Sequence, residues 1–150
     1  MKRRTFLQGS MAAGVAAIAV GAGLLTPRAV LAAYPKAQFQ AKSVDAAVGA
    51  AYEHSDDIKI KAPDIAENGA VVPVKVTTGI AGATAISILA AENGTPMTSK
   101  FVLGAGAEGE VSTRIKMGKT SDIIAVVESG GKLYANKKEV INRIASCNFD

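Results

Sequence analysis

The chain has 150 residues, with 17 Lys and Arg against 13 Asp and Glu, one His and one Cys, for a formal charge of +4. The excess sits entirely in residues 1–32, where Lys2, Arg3, Arg4 and Arg28 meet no acidic residue, so the remainder balances 13 basic against 13 acidic groups. A neutral remainder lacks the basic stripe that nucleic-acid binding requires, and one His with no Cys near it in sequence argues against a metal centre.

The first segment, "MKRRTFLQGSMAAGVAAIAVGAGLLTPRAVLAA", joins a basic opening to an Ala/Gly-rich apolar run and then to small residues. This is the architecture of an export signal, with cleavage expected after Ala32 or Ala33. Arg3-Arg4 followed by Phe6-Leu7 is the twin-arginine variant, which exports folded proteins and predicts a periplasmic location. The apolar run is too short and too rich in glycine for the roughly 20 residues of a bilayer span. No stable membrane anchor is expected after cleavage. The rest of the chain is the size of one domain with one core. In an oxidising compartment cysteines usually come in pairs. The lone Cys147 therefore either links to another molecule or stays a thiol for a reason.

Residues 40–53, "QAKSVDAAVGAAYE", place Val44, Ala47, Val48, Ala51 and Tyr52 at helical spacing behind a Ser43 N-cap. The reading is one short amphipathic helix ending near an exposed His54. From there the texture is β. Strands are expected over 58–62, 70–78, 83–91, 100–103, 109–118, 122–129 and 132–135. Pro73 favours an edge or a bulge. Asn68-Gly69, Asn93-Gly94 and Gly130-Gly131 provide turns that tolerate positive φ. The repeated "AENG" at 66–69 and 91–94 reads as recurring turn chemistry rather than as a structural repeat. Short strands at such spacing predict a mainly β fold, a β-sandwich with a short N-terminal helix. The glycines form no phosphate-cradling loop, the carboxylates form no acid/base pair, and a single His builds no Ser/His/Asp set. No cofactor is expected, and a binding or carrier protein fits better than an autonomous enzyme. Met97 and Met117 read as core or interface filler rather than as metal ligands. The apolar strand around Val72 to Val76 suits either core packing or pairing with a partner.

Two strings, "IKIKAPDIAENGAVVPVKV" and "VSTRIKMGKTSDIIAVVESGGKLYANKKEV", resemble the SoxY family, the sulfur-carrier subunits of the periplasmic thiosulfate-oxidising Sox system. The resemblance runs from about Ser55 to Val140. It implies an immunoglobulin-like sandwich and a heterodimer with a SoxZ-like subunit that shares the export signal. It also implies a C-terminal cysteine that holds sulfur intermediates covalently while separate Sox enzymes attach, hydrolyse and oxidise them. The domain plan is then a signal over 1–32, the sandwich over 33–139, and a cysteine-bearing arm over 140–150. Cys147 becomes the expected site of covalent sulfur attachment. Arg114 and Lys116, in "TRIKMGKTS" with Lys119, become candidates for contact with an anion or a partner. Strand parity alone would also put Arg114 and Lys116 on a solvent face, opposite Ile115 and Met117.

The tail departs from the family pattern. In that family the cysteine stands in Gly-Gly-Cys-Gly-Gly, where glycines let a thiolate nucleophile enter narrow active sites. Here the chain reads "INRIASCNFD", with Ser146 and Asn148 beside the sulfur and Phe149 two residues on. Asp150 and the terminal carboxylate place negative charge nearby, which disfavours thiolate. Alternation is broken by Asn142, and Val140, Ile141, Ile144 and Ala145 fall instead at helix-like spacing. Three readings follow: a working carrier with an unorthodox arm, a family member that keeps the partner surface without carrier chemistry, or a C-terminus altered by a frameshift.

Overall fold

The computed structural model describes residues 35–143. Two short helices, α1 (Lys36–Gln40) and α2 (Val44–Val48), precede nine strands. These are β1 (Glu53–His54), β2 (Ile58–Lys61), β3 (Ile65–Ala66), β4 (Val72–Thr78), β5 (Ala83–Ala90), β6 (Met97–Val102), β7 (Glu110–Ile115), β8 (Ser121–Ser129) and β9 (Lys132–Asn142). The larger sheet has the order β1-β9-β8-β5-β6, with β3 also pairing β9, and the smaller one has the order β2-β4-β7. The mainly β sandwich is thus as expected. No helix of the described residues is long and apolar enough to cross a membrane.

Burial explains why some strands alternate in sequence and others do not. In β4, Val72, Val74 and Val76 point inward while Pro73 is exposed, because only one face of the small sheet is covered. These valines are core residues. In β5 and β8 the runs Ala85–Ala90 and Ile123–Val127 are buried on both faces. Their inner residues Ile86, Ile88, Ile123 and Val127 meet the small sheet. Their outer residues Leu89, Ile124 and Val126 pack with Ala47 and Val48 of α2 and with Phe39 of α1. Each fully buried Ile or Leu contributes on the order of 2 kcal/mol. Met117 belongs to the inner cluster and Met97 to the outer one, as core filler.

Several boundaries differ from expectation for local reasons. The predicted helix over 40–53 is only α2. Ser43 Oγ accepts the Ala46 N–H at 3.3 Å, and Gly49, at φ 77°, ends the helix with its own N–H on the Asp45 carbonyl. A left-handed glycine is a strong helix stop, so Ala51 and Tyr52 lie beyond it. His54 is exposed as expected, but it belongs to β1, pairs with Ala135, and lies 3.1 Å from Asp56 Oδ1. Pro73 lies in the central strand of its sheet, yet β2 pairs β4 only from Lys75 onward, so at Pro73 the neighbour is β7 alone. Its missing N–H therefore faces no strand.

Of the three predicted turn dipeptides only Gly130-Gly131 has positive φ, at 57° and 77°, closing a two-residue hairpin between Ser129 and Lys132. The two asparagines act through their side chains instead. Asn68 Oδ1 accepts the Ala70 N–H at 2.9 Å. Asn93 donates to the Lys116 carbonyl at 2.7 Å and accepts from Gly118 N–H at 2.9 Å. The two copies of "AENG" thus perform different turn chemistry. The last strand, expected over 132–135, runs to Asn142. Val140 and Ile141, read above as helically spaced, are strand residues, while Ile144 and Ala145 lie outside the described residues.

Candidate functional site

Cys147 lies outside the described residues, and the described chain leads toward it through the end of β9. That end is held from three sides. Ile141 N–H donates to the Asp64 carbonyl at 2.9 Å, and Ile141 and Asn142 pair in parallel with Ile65 and Ala66 of β3. Asn142 is 3% exposed, donates its side-chain amide to the Met117 carbonyl at 2.8 Å, and donates its backbone N–H to Thr120 Oγ1 at 2.9 Å. Met117 N–H in turn donates to the Gly69 carbonyl at 2.7 Å. Gly69 must be glycine. A Cβ there would stand 2.6 Å from the Met117 carbonyl oxygen and collide with the Asn142 amide. Gly69, Met117 and Asn142 therefore form a clasp at the end of β9.

Sequence pattern gave no hint of this clasp. Asn142 looked like a fault in the alternation, whereas a buried amide with its hydrogen bonds made is a stable inward residue. The only usable signal was a polar residue at the strand parity of Val140 and Ile144. Outside the clasp, Ile65 and Ile141 are paired neighbours and both are about half exposed, at 49% and 45%.

Arg114 and Lys116 are both exposed at the C-terminal end of β7, with Ile115 and Met117 buried between and after them. The expected parity therefore holds. The same two side chains also line an open cleft of about 610 Å³ together with Lys42, Asn93 and Thr98. The cleft lies between β6 and β7, which pair only with β5 and β4 respectively and so form one edge of each sheet. Among the described residues no Asp or Glu lines it. The ion pairs among the described residues are His54–Asp56, Lys75–Glu110, Lys137–Asp122 and Lys138–Asp64. Lys42, Arg114 and Lys116 take part in none of them. Lys119 is exposed on the following turn.

The cleft and the end of β9 share a wall. The Met117 carbonyl holds Asn142, and the next residue, Gly118, is held by Asn93 from inside the cleft. Lys42, Asn93 and the β7 cations come from distant parts of the chain, so no periodicity in the sequence could announce their meeting. Among the described residues no three His, Cys, Asp or Glu side chains converge on a metal-sized site.

Comparison with known proteins agrees with this architecture. The family model of the sulfur oxidation protein SoxY matches residues 44–147, so the matched segment ends on Cys147. No curated protein matches the chain. Among solved structures the chain is similar to the sulfur carrier protein SoxY from Chlorobium limicola f thiosulfatophilum. Sequence identity is 42% and the TM-score 0.62, over 72% of this chain and 98% of that one. The chain belongs to the SoxY family.

Proposed function

We propose that this protein carries sulfur intermediates of thiosulfate oxidation covalently on Cys147 and performs no turnover alone. The observation that carries the reading is the family match, which extends through residues 44–147 to the only cysteine of the chain. The chemistry is that of a thiolate handle. Joining the Cys147 thiolate to the outer sulfur of thiosulfate makes an S–S bond and releases two electrons, which the attaching enzyme must accept. Water can then cleave the terminal sulfonate, giving sulfate and two protons and leaving a persulfide on the cysteine. A carrier suits this sequence because every intermediate stays tethered between steps.

The working unit in this reading is a heterodimer with a SoxZ-like subunit, served by separate Sox enzymes. The location is the periplasm, reached by the twin-arginine route through the signal over residues 1–32. Support comes from Arg3-Arg4 with Phe6-Leu7, and from the family to which the domain belongs. Arg114 and Lys116 serve as anion or partner contacts.

One observation favours a second reading. Ser146 and Asn148 stand where a freely swinging arm would have glycines. On that reading the protein is a periplasmic interaction module without covalent cargo. Reconstitution separates the two. With partner subunit and enzymes supplied, Cys147→Ser should abolish thiosulfate-dependent electron release. Unchanged turnover in that variant would establish the second reading.

A further inference from the structure

We infer that the cleft between β6 and β7 is the resting place of the loaded arm, where the anionic end of the cargo on Cys147 settles against Lys42, Arg114 and Lys116. This rests on the carrier reading and adds a binding site to it. Among the described residues, three cations line the cleft with no carboxylate beside them, and none is committed to an ion pair. A sulfonate carried on Cys147, in addition to the Asp150 carboxylate three residues on, supplies the complementary charge. Asn93 braces the backbone that carries Lys116 by fixing both the Lys116 carbonyl and the Gly118 N–H.

Reach permits the contact. Cys147 stands five residues beyond Asn142, which span at most about 17 Å at roughly 3.3–3.6 Å each. Asn142 already touches the carbonyl of Met117, the residue next to Lys116. A segment of that length is long enough to bring Cys147 to the Lys116 end of the cleft. The open cleft, about 610 Å³ in volume, has room for the sulfonate end of the cargo. Exposed ion pairs hold weakly, so the arm is shielded in transit yet released readily to an enzyme.

The test uses the full mature chain, loaded without any enzyme. The reduced Cys147 thiolate attacks a central sulfur of tetrathionate, the central S–S bond breaks, and thiosulfate leaves with the electron pair. Cys147 is left bearing –S–SO₃⁻, which intact mass verifies. Loading should shift the backbone amide resonances of Asn93, Lys116 and Gly118. At low salt a neutral thiol should strip the adduct roughly fivefold faster from the double variant Arg114→Glu, Lys116→Glu than from the wild type, the scale of one exposed ion pair. That difference should vanish near 1 M salt, where screening is nearly complete. Reversal of Lys59 and Lys61 on the far edge strand controls for net charge and should change neither readout. An adduct that forms without moving these amides, or that is stripped from the Arg114/Lys116 variant at the wild-type rate, overturns the resting site and leaves the carrier reading standing. Equal shifts caused by free thiosulfate on Cys147→Ser also overturn it, since the cleft would then serve anions in solution. Failure to form any adduct removes both.

Discussion

Asn142 turns a polar amide into the inner face of β9 and completes hydrogen bonds to Met117 and Thr120 there. Replacing it with Ala leaves the buried Met117 carbonyl without this donor, which costs about 1–3 kcal/mol. At roughly 4 °C per kcal/mol for a domain of this size, thermal denaturation of Asn142→Ala should show a midpoint lower by about 4–12 °C. Gly69→Ala attacks the same clasp from the other side, since the new Cβ meets backbone that cannot swing away. It should cost at least as much, about 1–3 kcal/mol. A midpoint unchanged in both variants would show that the clasp does not hold the end of β9. At this scale the sequence was partly legible. Cys147 stood out as a lone thiol, and Arg114 and Lys116 stood out by strand parity. Asn142 and Gly69 did not, because their roles come from contacts between segments more than 20 positions apart.

Strand existence was the most legible property of the elements, and strand ends the least. Alternation in β4 and apolar runs in β5 and β8 follow directly from one-sided and two-sided burial. The end of β9 was hidden because pairing with β3 and β8, rather than its own pattern, keeps Val140 to Asn142 extended. The single helix predicted over 40–53 failed at Gly49, whose left-handed backbone, not any shortage of space, ends α2. The same distinction yields a prediction for the turns. Gly131→Ala should lose about 1–2 kcal/mol, since φ 77° is a left-handed backbone that Cβ disfavours. Gly94→Ala should change stability by no more than about 0.5 kcal/mol, because Gly94 has no positive φ and open space around it. Chemical denaturation of the two variants, with unchanged slopes, measures the contrast.

At the scale of the whole molecule, a two-sheet sandwich precedes the only cysteine of the chain, the proposed carrier of the cargo. The stability of the sandwich rests on the inner core, so Ile123→Ala should cost about 2–5 kcal/mol by denaturation, whereas Val102→Ser, at 81% exposure, should cost almost nothing. The proposed route to the periplasm is tested by Arg3→Lys with Arg4→Lys, which should leave the protein in the cytoplasmic fraction on cell fractionation. Fold class and family were legible in the sequence because they depend on repeated local patterns. The arm's chemistry was less so, because a single cysteine without its glycines carries no pattern. Intact mass therefore tests the central claim most directly. The reduced mature protein, incubated with thiosulfate and the thiosulfate-oxidising enzymes, should gain the mass of a sulfur adduct that a reducing thiol removes, and Cys147→Ser should gain none. A wild-type protein that emerges at its unmodified mass would contradict the carrier function.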